Sequence, residues 1–267
     1  MIALLTGLGL PESPRWHDDR LWFANWGTGE VVTIDREGRN RVEFEVPTWI
    51  PYSIDWLPDG RALIVSGQEG LLLRREHDGA LVTHADLTGL GKVFNEIVVD
   101  SRGNAYVNGS NLVLVDPDGR AAQVAEDLAW GNGMAVTGDG TTLIVAESHA
   151  RRLTAFDIAE DGSLSGRRIW ADCGDGVPDG ICLDAEGAVW YADVPNQRCV
   201  RVREGGEVLQ SVQADRGCFA CMLGGEDGRT LYVLSAVWPG MEEAMKDPGR
   251  TGQVHAVRVA VPHAGRP

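Results

Sequence analysis

Residues 54–66 read IDWLPDGRALIVS, in which one apolar run leads into a Pro-Asp-Gly turn and a second apolar run follows it. The pattern returns in IVVDSRGNAYVN (97–108), MAVTGDGTTLIVAES (134–148), ICLDAEGAVWYAD (181–193) and CMLGGEDGRTLYVLSA (221–236). A sixth copy, PRWHDDRLWFANW (14–26), has Arg20 in place of the turn glycine. The turn positions 20, 60, 103, 140, 187 and 228 are 37 to 47 residues apart. A period of about 40–45 residues is typical of a four-stranded propeller blade.

A second glycine turn follows the first in five repeats, at Gly38, Gly79, Gly119, Gly162 and Gly205. Two hairpin turns per repeat indicate about four short strands in each. The last repeat lacks its second hairpin, and the N-terminal IALLTGL (2–8) can supply the missing strand and close the ring. We therefore predict an all-β, six-bladed β-propeller, a single domain over residues 1–267, with the N-terminal strand pairing into the last blade. A short helix is predicted in PGMEEAMKDPG (239–249).

Composition excludes several classes of partner. The chain has 267 residues and a net charge of −15, which opposes binding to nucleic acid. No apolar stretch reaches the ~18 residues of a membrane span, and the first ten residues carry no Lys or Arg, which argues against a secretory signal.

The chain has five cysteines, an odd number that includes the Cys218-x-x-Cys221 pair. They indicate buried, reduced thiols in a cytoplasmic protein. We expect a monomer or a small homo-oligomer.

Equivalent positions of the repeats indicate a functional site. The residues eight places before each first turn are Glu12, Tyr52, Asn95, Asn132, Asp179 and Ala220. The first strand of a blade lines the central channel, so these side chains should surround one of its mouths. Four of the six are Glu, Asn or Asp, which offer carboxylate or amide oxygen atoms, and two carboxylates in one funnel repel each other unless a cation lies between them. The pattern predicts a divalent cation that prefers oxygen ligands, such as Ca²⁺, Mg²⁺ or Mn²⁺. The alternative is that these residues cap strand ends and hold channel water.

Five segments together carry a family resemblance: PESPRW (11–16), FNEIVVDSRGNAYV (94–107), GNGMAV (131–136), PDGICLDAEGAVWYAD (178–193) and CMLGGEDGRTLYVLSA (221–236). In this order and phase the chain resembles the senescence marker protein (regucalcin)/gluconolactonase family of six-bladed propellers. The resemblance implies that Glu12, Asn132 and Asp179 ligate one divalent cation. Ca²⁺ is favoured, with Mg²⁺, Mn²⁺ and Zn²⁺ as alternatives. It also implies that Asn95 either joins the metal shell or binds substrate, and that the substrate is a small lactone or ester.

One departure from the family concerns the substrate. Sugar lactonases of the family have an arginine two residues before the position of Asn95, where it contacts sugar hydroxyls, and this chain has Val93. Because valine cannot donate those hydrogen bonds, we expect an altered substrate pocket. The short NGSN segment (108–111) leaves little room for a lid, which predicts an open mouth.

These observations predict a divalent-metal-dependent, gluconolactonase-like hydrolase that opens a cyclic ester. Asp179 is the predicted general base for the attacking water, and Glu12 is the competing candidate. We expect the pocket to be shaped by residues near the mouth, namely Trp26, Tyr52, Phe94, Trp130 and His149. Two alternatives stay open: a phosphotriesterase-like hydrolase that uses the same metal site, and a non-catalytic propeller that binds a metal or another ligand.

Overall fold

The computed structural model describes residues 1–109 and 111–265, and in this part of the chain it contains 24 strands in six four-stranded sheets. The strands are β1 (Ile2–Leu8), β2 (Leu10–His17), β3 (Arg20–Trp26), β4 (Glu30–Ile34), β5 (Asn40–Glu45), β6 (Tyr52–Trp56), β7 (Ala62–Ser66), β8 (Leu71–Arg75), β9 (Leu81–Asp86), β10 (Phe94–Val99), β11 (Ala105–Gly109), β12 (Leu112–Val115), β13 (Ala121–Ala125), β14 (Gly131–Val136), β15 (Thr142–Glu147), β16 (Arg152–Ile158), β17 (Leu164–Asp172), β18 (Pro178–Leu183), β19 (Val189–Asp193), β20 (Arg198–Val202), β21 (Val208–Gln213), β22 (Gly217–Gly224), β23 (Thr230–Ala236) and β24 (Gly252–Arg258).

The sheets confirm the predicted six-bladed propeller. Blades 1 to 5 are antiparallel meanders of four consecutive strands, starting at β2, β6, β10, β14 and β18. Blade 6 has the order β1-β24-β23-β22, so its outermost strand comes from the N-terminus. The pairing of β1 with β24 runs from Ile2 opposite Ala256 to Leu8 opposite Gly252. This pairing closes the ring in the way the sequence predicts.

The first strands of the blades form the inner ring. Each of β2, β6, β10, β14, β18 and β22 contacts the inner strand of the next blade, and β22 returns to β2. Apolar side chains fill the spaces between neighbouring blades, as in the cluster of Leu63, Val65, Ile97 and Val107 between blades 2 and 3. The packing therefore places the starts of the six inner strands around one channel mouth.

The glycine turns adopt the backbone that hairpins require. Gly60, for example, has a φ of 86°, which disfavours residues with a side chain. Blade 1, which lacks the glycine, instead has a two-residue turn with Asp18 and Asp19 at φ values of 48° and 59°. Aspartate is among the few residues that tolerate this region, so the departure at Arg20 changes the turn without changing the blade.

Helical structure is short in the described residues. Helix α1 (Met241–Lys246) lies in the link between β23 and β24, as predicted, and a 3₁₀ turn covers Ser148–Ala150. No helix in residues 1–109 and 111–265 is long and apolar enough to cross a membrane. All five cysteines are free thiols. The NGSN segment that predicts an open mouth includes Ser110, which lies outside the described residues.

Candidate active site

The oxygen-bearing residues singled out in the sequence lie near the starts of adjacent inner strands. Glu12 is in β2, Asn95 in β10, Asn132 in β14 and Asp179 in β18. The amide of Asn95 donates a hydrogen bond to Oδ1 of Asn132 at 3.0 Å, and the side chain of Asn132 is close enough to Asp179 to lower the pKa of its carboxyl group. The charge of Asp179 raises the pKa of Glu12, so Glu12 lies in the same cluster. The structure therefore brings all four together.

β-Bulges interrupt the inner strands at these residues. The register shifts between Glu12 and Arg15 in blade 1 and between Phe94 and Glu96 in blade 3, with equivalent shifts in blades 4, 5 and 6. The pairing of β6 with β7 in blade 2 has no such shift. Bulges are frequent beside active sites because the extra residue redirects a side chain. Here the bulges of blades 1, 3, 4 and 5 lie at Glu12, Asn95, Asn132 and Asp179.

Two glycines let the inner strands approach closely behind these side chains. A Cβ at Gly133 would lie 2.5 Å from the carbonyl oxygen of Asp179, and one at Gly180 would lie 2.6 Å from the Cβ of Ala220. Any larger residue would therefore push blades 4, 5 and 6 apart. This explains the pairs Asn132-Gly133 and Asp179-Gly180, in which the polar residue is followed by a glycine.

The two carboxylates are poorly solvated and face like charges. Burial raises the pKa of Glu12 well above its ordinary value, and the nearby Asp179 and Glu96 raise it further. Burial also raises the pKa of Asp179, with the charge of Glu96 adding to it and the hydrogen bond from Asn132 opposing it. The ionised forms are thus unfavourable unless a positive charge compensates them.

The donor set fits a divalent cation. Oδ1 of Asp179 is buried and has no hydrogen-bond partner, so one carboxylate oxygen is left for another ligand. Two carboxylates and two amides provide oxygen atoms toward the mouth, the kind of ligand that Ca²⁺ and Mg²⁺ prefer. Within residues 1–109 and 111–265, no three His, Cys, Asp or Glu side chains are arranged to hold a metal. A cation at this mouth would therefore depend on the amides of Asn132 and Asn95 as well as on the two carboxylates.

A buried ion pair beside the cluster was not predicted from the sequence. Arg15 Nη2 donates hydrogen bonds to Glu96 at 3.1 Å and to the carbonyl of Ile97 at 2.5 Å. Ser13 donates to Glu96 at 3.2 Å and accepts from the Ile54 amide at 3.0 Å. These bonds join β2, β6 and β10 directly behind Glu12 and Asn95. The repeats predict one ring position per blade and carry no signal for the neighbours of the ring residues.

Two further polar residues hold Asn132 in place. Asn108 Nδ2 donates to the Asn132 carbonyl at 2.5 Å. Ser148 lies 3.4 Å from Asn132 Nδ2 and donates to the Pro178 carbonyl at 2.7 Å. Ser148 thus ties blade 4 to the residue before Asp179. Asn108 is the last but one residue of β11 and Ser148 directly follows β15, so both lie near the end of the second strand of a blade.

Three of the aromatic residues expected around the pocket are buried. The indole of Trp26 donates to the Tyr52 carbonyl at 2.6 Å, and the Tyr52 hydroxyl donates to the Glu30 carbonyl at 2.9 Å. Phe94 is fully buried in the core between blades 2 and 3. Their contact with substrate stays a prediction.

The other two expected aromatic residues are accessible. Trp130 is 48% exposed, and its ring stacks on that of His149 with centroids 5.4 Å apart. His149 lies in the 3₁₀ turn after β15, and its amide donates to the Ala129 carbonyl at 3.0 Å. The pair therefore forms an exposed flat surface at the rim of blade 4, next to Asn132.

Two cavities, of about 420 Å³ and 330 Å³, lie elsewhere. The first is lined by turn residues such as Asp35 and Asp227, and the second lies at the rim beside Trp49 and Glu69. Neither is lined by the four clustered polar residues.

Comparison with known proteins agrees with the fold and the resemblance. Residues 10–237 match the family model described as the SMP-30/Gluconolactonase/LRE-like region. A 6-deoxy-6-sulfogluconolactonase of Pseudomonas putida is 32% identical over 97% of this chain and 94% of its own length. A pentonolactonase of Haloferax volcanii is 25% identical over 98% of this chain and 94% of its own.

A solved structure shares the architecture. The calcium-binding protein regucalcin from Agrobacterium tumefaciens strain C58 superposes with a TM-score of 0.82, covering 100% of this chain and 96% of its own. Its sequence identity is 20%, so the likeness concerns the fold.

Proposed function

This chain belongs to the SMP-30/gluconolactonase/LRE-like family, and we propose that it hydrolyses lactones with one divalent cation held at the channel mouth. The lactonase relatives that align over nearly its whole length support hydrolysis of a cyclic ester. The observation that carries the site is the convergence of Glu12, Asn132 and Asp179, with one buried Asp179 oxygen left without a partner.

Glu12, Asn132 and Asp179 would hold the cation, and Ca²⁺ is the favoured ion because all the donors are oxygen atoms. Mg²⁺, Mn²⁺ and Zn²⁺ are the alternatives. When bound, such a cation supplies a positive charge that polarises the lactone carbonyl and stabilises the oxyanion as it develops. Asn132 can accept from Asn95 and still offer a lone pair, because an amide oxygen has two.

Asp179 is the proposed general base. One of its carboxylate oxygens would hold the cation, the other would accept the proton of an attacking water, and the neighbouring Asn132 lowers the pKa of the carboxyl group. Glu12 is the competing base, but its Oε2 accepts a hydrogen bond from the Ser13 amide at 3.1 Å, which suits a ligand that is held still. Asn95 would orient the substrate or complete the metal shell, and the exposed Trp130–His149 surface would contact the rest of the lactone.

A substrate panel tests the proposal. Protein stripped of metal with EDTA and then reloaded with Ca²⁺ should hydrolyse aldonolactones or simpler lactones, and it should lose this activity again on chelation. Because Val93 replaces the arginine of sugar lactonases, the preferred lactone should differ from glucono-δ-lactone. Faster metal-dependent cleavage of a phosphotriester would favour the phosphotriesterase-like alternative. No hydrolysis of any compound with metal bound would favour a binding protein.

Two predictions from composition stay predictions: a cytoplasmic location, and a monomer or small homo-oligomer. Nothing in the site requires a second chain, since all of its proposed residues come from one.

A further inference from the structure

The large apolar side chains that are exposed fall into two groups. In residues 1–109 and 111–265 there are twelve, and seven of them lie on the outermost strand of a blade or directly before it, as Ile169 and Val208 do. The other five lie in links at the channel mouth, and we call them the apolar rim: Trp49, Trp130, Val237, Trp238 and Met241. Scattered exposed apolar residues are ordinary, but a group confined to one end of the channel indicates a binding surface.

The link between β23 and β24 fixes three members of the apolar rim at the mouth. Ala236, the last residue of β23, pairs with Gly217, the first residue of the inner strand β22, so the link starts at the mouth end. The Val237 amide donates to Thr251 Oγ1 at 3.1 Å and joins the two ends of the link. Arg216 Nη1 donates to the Thr251 carbonyl at 2.8 Å. The link is therefore held before a ligand arrives, which lowers the entropic cost of binding.

Trp238 lies two contacts away from the strand that carries Asp179. Its ring packs edge-on against that of Phe219, with centroids 5.4 Å apart. Phe219 lies beside Gly180, because a Cβ at Gly180 would be 3.1 Å from the Phe219 carbonyl oxygen. Gly180 directly follows Asp179. Trp238 therefore borders the proposed site on the side of blade 6.

Trp130 borders the same site on the side of blade 4. It comes two residues before Asn132, and its carbonyl accepts a hydrogen bond from the Ser148 amide at 3.1 Å. The Ser148 hydroxyl lies 3.4 Å from Asn132 Nδ2. Since Asp179 belongs to blade 5, the two exposed tryptophans stand on the blades at either side of it.

We propose that the lactone bound at this mouth carries an aryl or alkyl group that packs against Trp130 and Trp238, in place of the hydroxyl groups of a sugar lactone. The inference rests on the proposed function for the reacting ester and on the apolar rim for the rest of the substrate. Indole rings bury a large apolar area against such groups. Sugar hydroxyls would need hydrogen-bonding partners instead, but Val93 has none to offer in its side chain, and the Asn95 amide already donates to Asn132.

A matched pair of lactones tests the substrate class with Ca²⁺-loaded, full-length protein. δ-Decanolactone has the ring of δ-valerolactone plus a pentyl group. After subtraction of the uncatalysed rates, its kcat/KM should exceed those of δ-valerolactone and glucono-δ-lactone by about tenfold or more. Trp130→Ala and Trp238→Ala should each lower the decanolactone-to-valerolactone ratio about fivefold. Ile169→Ala is the matched control, because Ile169 is 62% exposed on the outermost strand of blade 4, and it should leave the ratio unchanged.

Calorimetry with lactams, which resist hydrolysis, separates this inference from the proposed function. 6-Pentylpiperidin-2-one should bind about tenfold more tightly than piperidin-2-one. That difference without hydrolysis of any lactone would support the apolar site and refute the lactonase. Equal affinities in wild-type protein that hydrolyses lactones, or a preference for glucono-δ-lactone, would overturn the inference alone. Equal affinities together with a dimer that Trp238→Ala dissociates in sedimentation would also overturn it and assign the apolar rim to contact between two copies of the chain.

Discussion

Replacing Asp179 with asparagine tests metal binding and catalysis at the channel mouth while leaving the fold intact. The asparagine side chain keeps the size of the aspartate and one of its oxygens, so the ring should assemble normally. The change removes one of two buried carboxylates whose pKa values are raised by burial and by neighbouring negative charge. We therefore expect the metal-free variant to be at least as stable as the metal-free wild-type protein.

The same substitution should remove metal binding and catalysis. Loss of a general base lowers the rate about 10²- to 10⁴-fold. At a limiting concentration of the cation, loss of a charged ligand lowers the rate further because less cation is bound. A cation at 100 times its Kd stabilises the folded state by about 2.7 kcal/mol. For a chain of this size that is a rise in Tm of about 5 °C. Asp179→Asn should show no such rise.

The assays are thermal unfolding with and without Ca²⁺ and initial rates of lactone hydrolysis. Asp175→Asn is the matched control, because Asp175 is an exposed aspartate four residues earlier whose partner is Arg198, at 2.8 Å. The control should keep both the Tm rise and the rate. A near-normal rate in Asp179→Asn with metal bound would refute Asp179 as the base. A full Tm rise would refute its role as a ligand.

Three further predictions follow from the contacts of the mouth. Asn95→Ala should lower kcat/KM about tenfold or more. If Asn95 binds substrate, the Ca²⁺ affinity measured by calorimetry should stay unchanged. An equal loss of Ca²⁺ affinity would place Asn95 in the metal shell instead. Arg15→Met should destabilise the fold by about 3–5 kcal/mol in urea unfolding, because it leaves the buried Glu96 carboxylate without its positively charged partner, the Arg15 side chain. Adding Glu96→Gln should restore part of that loss, and no restoration would contradict the reasoning. In metal-free protein the raised pKa values of Glu12 and Asp179 cost stability as the pH rises above their unfolded values of about 4. The Tm of Glu12→Gln minus that of wild type should therefore increase between pH 4.5 and 7.5, and a flat difference would show that neither burial nor the neighbouring carboxylates raise the pKa of Glu12.

The repeating turns made the fold predictable. A glycine in the same phase of five of the six blades indicates a backbone requirement that is local, so it can be recognised without knowing the packing. Closure by residues 2–8 followed from counting strands, and the β1–β24 pairing confirms it. That the whole chain is one domain stays a prediction.

The surroundings of the site were less predictable, because they depend on bulges and on contacts between blades. Alternation along a strand would place Glu12 and Arg15 on opposite faces, but the bulge between them alters that relation. The Arg15–Glu96 pair joins residues 81 positions apart. Tyr52 and Phe94 occupy positions that sequence alone suggests are at the pocket, yet their large apolar rings are fully buried. Burial of this kind depends on the neighbouring blade.

The most direct test of the proposed function is a stoichiometric titration of activity with metal. Protein stripped with EDTA should have no lactonase activity, and added Ca²⁺ should restore the rate in proportion to the ion bound, reaching a plateau at one ion per chain. The Asp179→Asn variant should stay inactive throughout. Full lactonase activity in the stripped protein, or a plateau that needs a different number of ions, would contradict a single cation held by Glu12, Asn132 and Asp179.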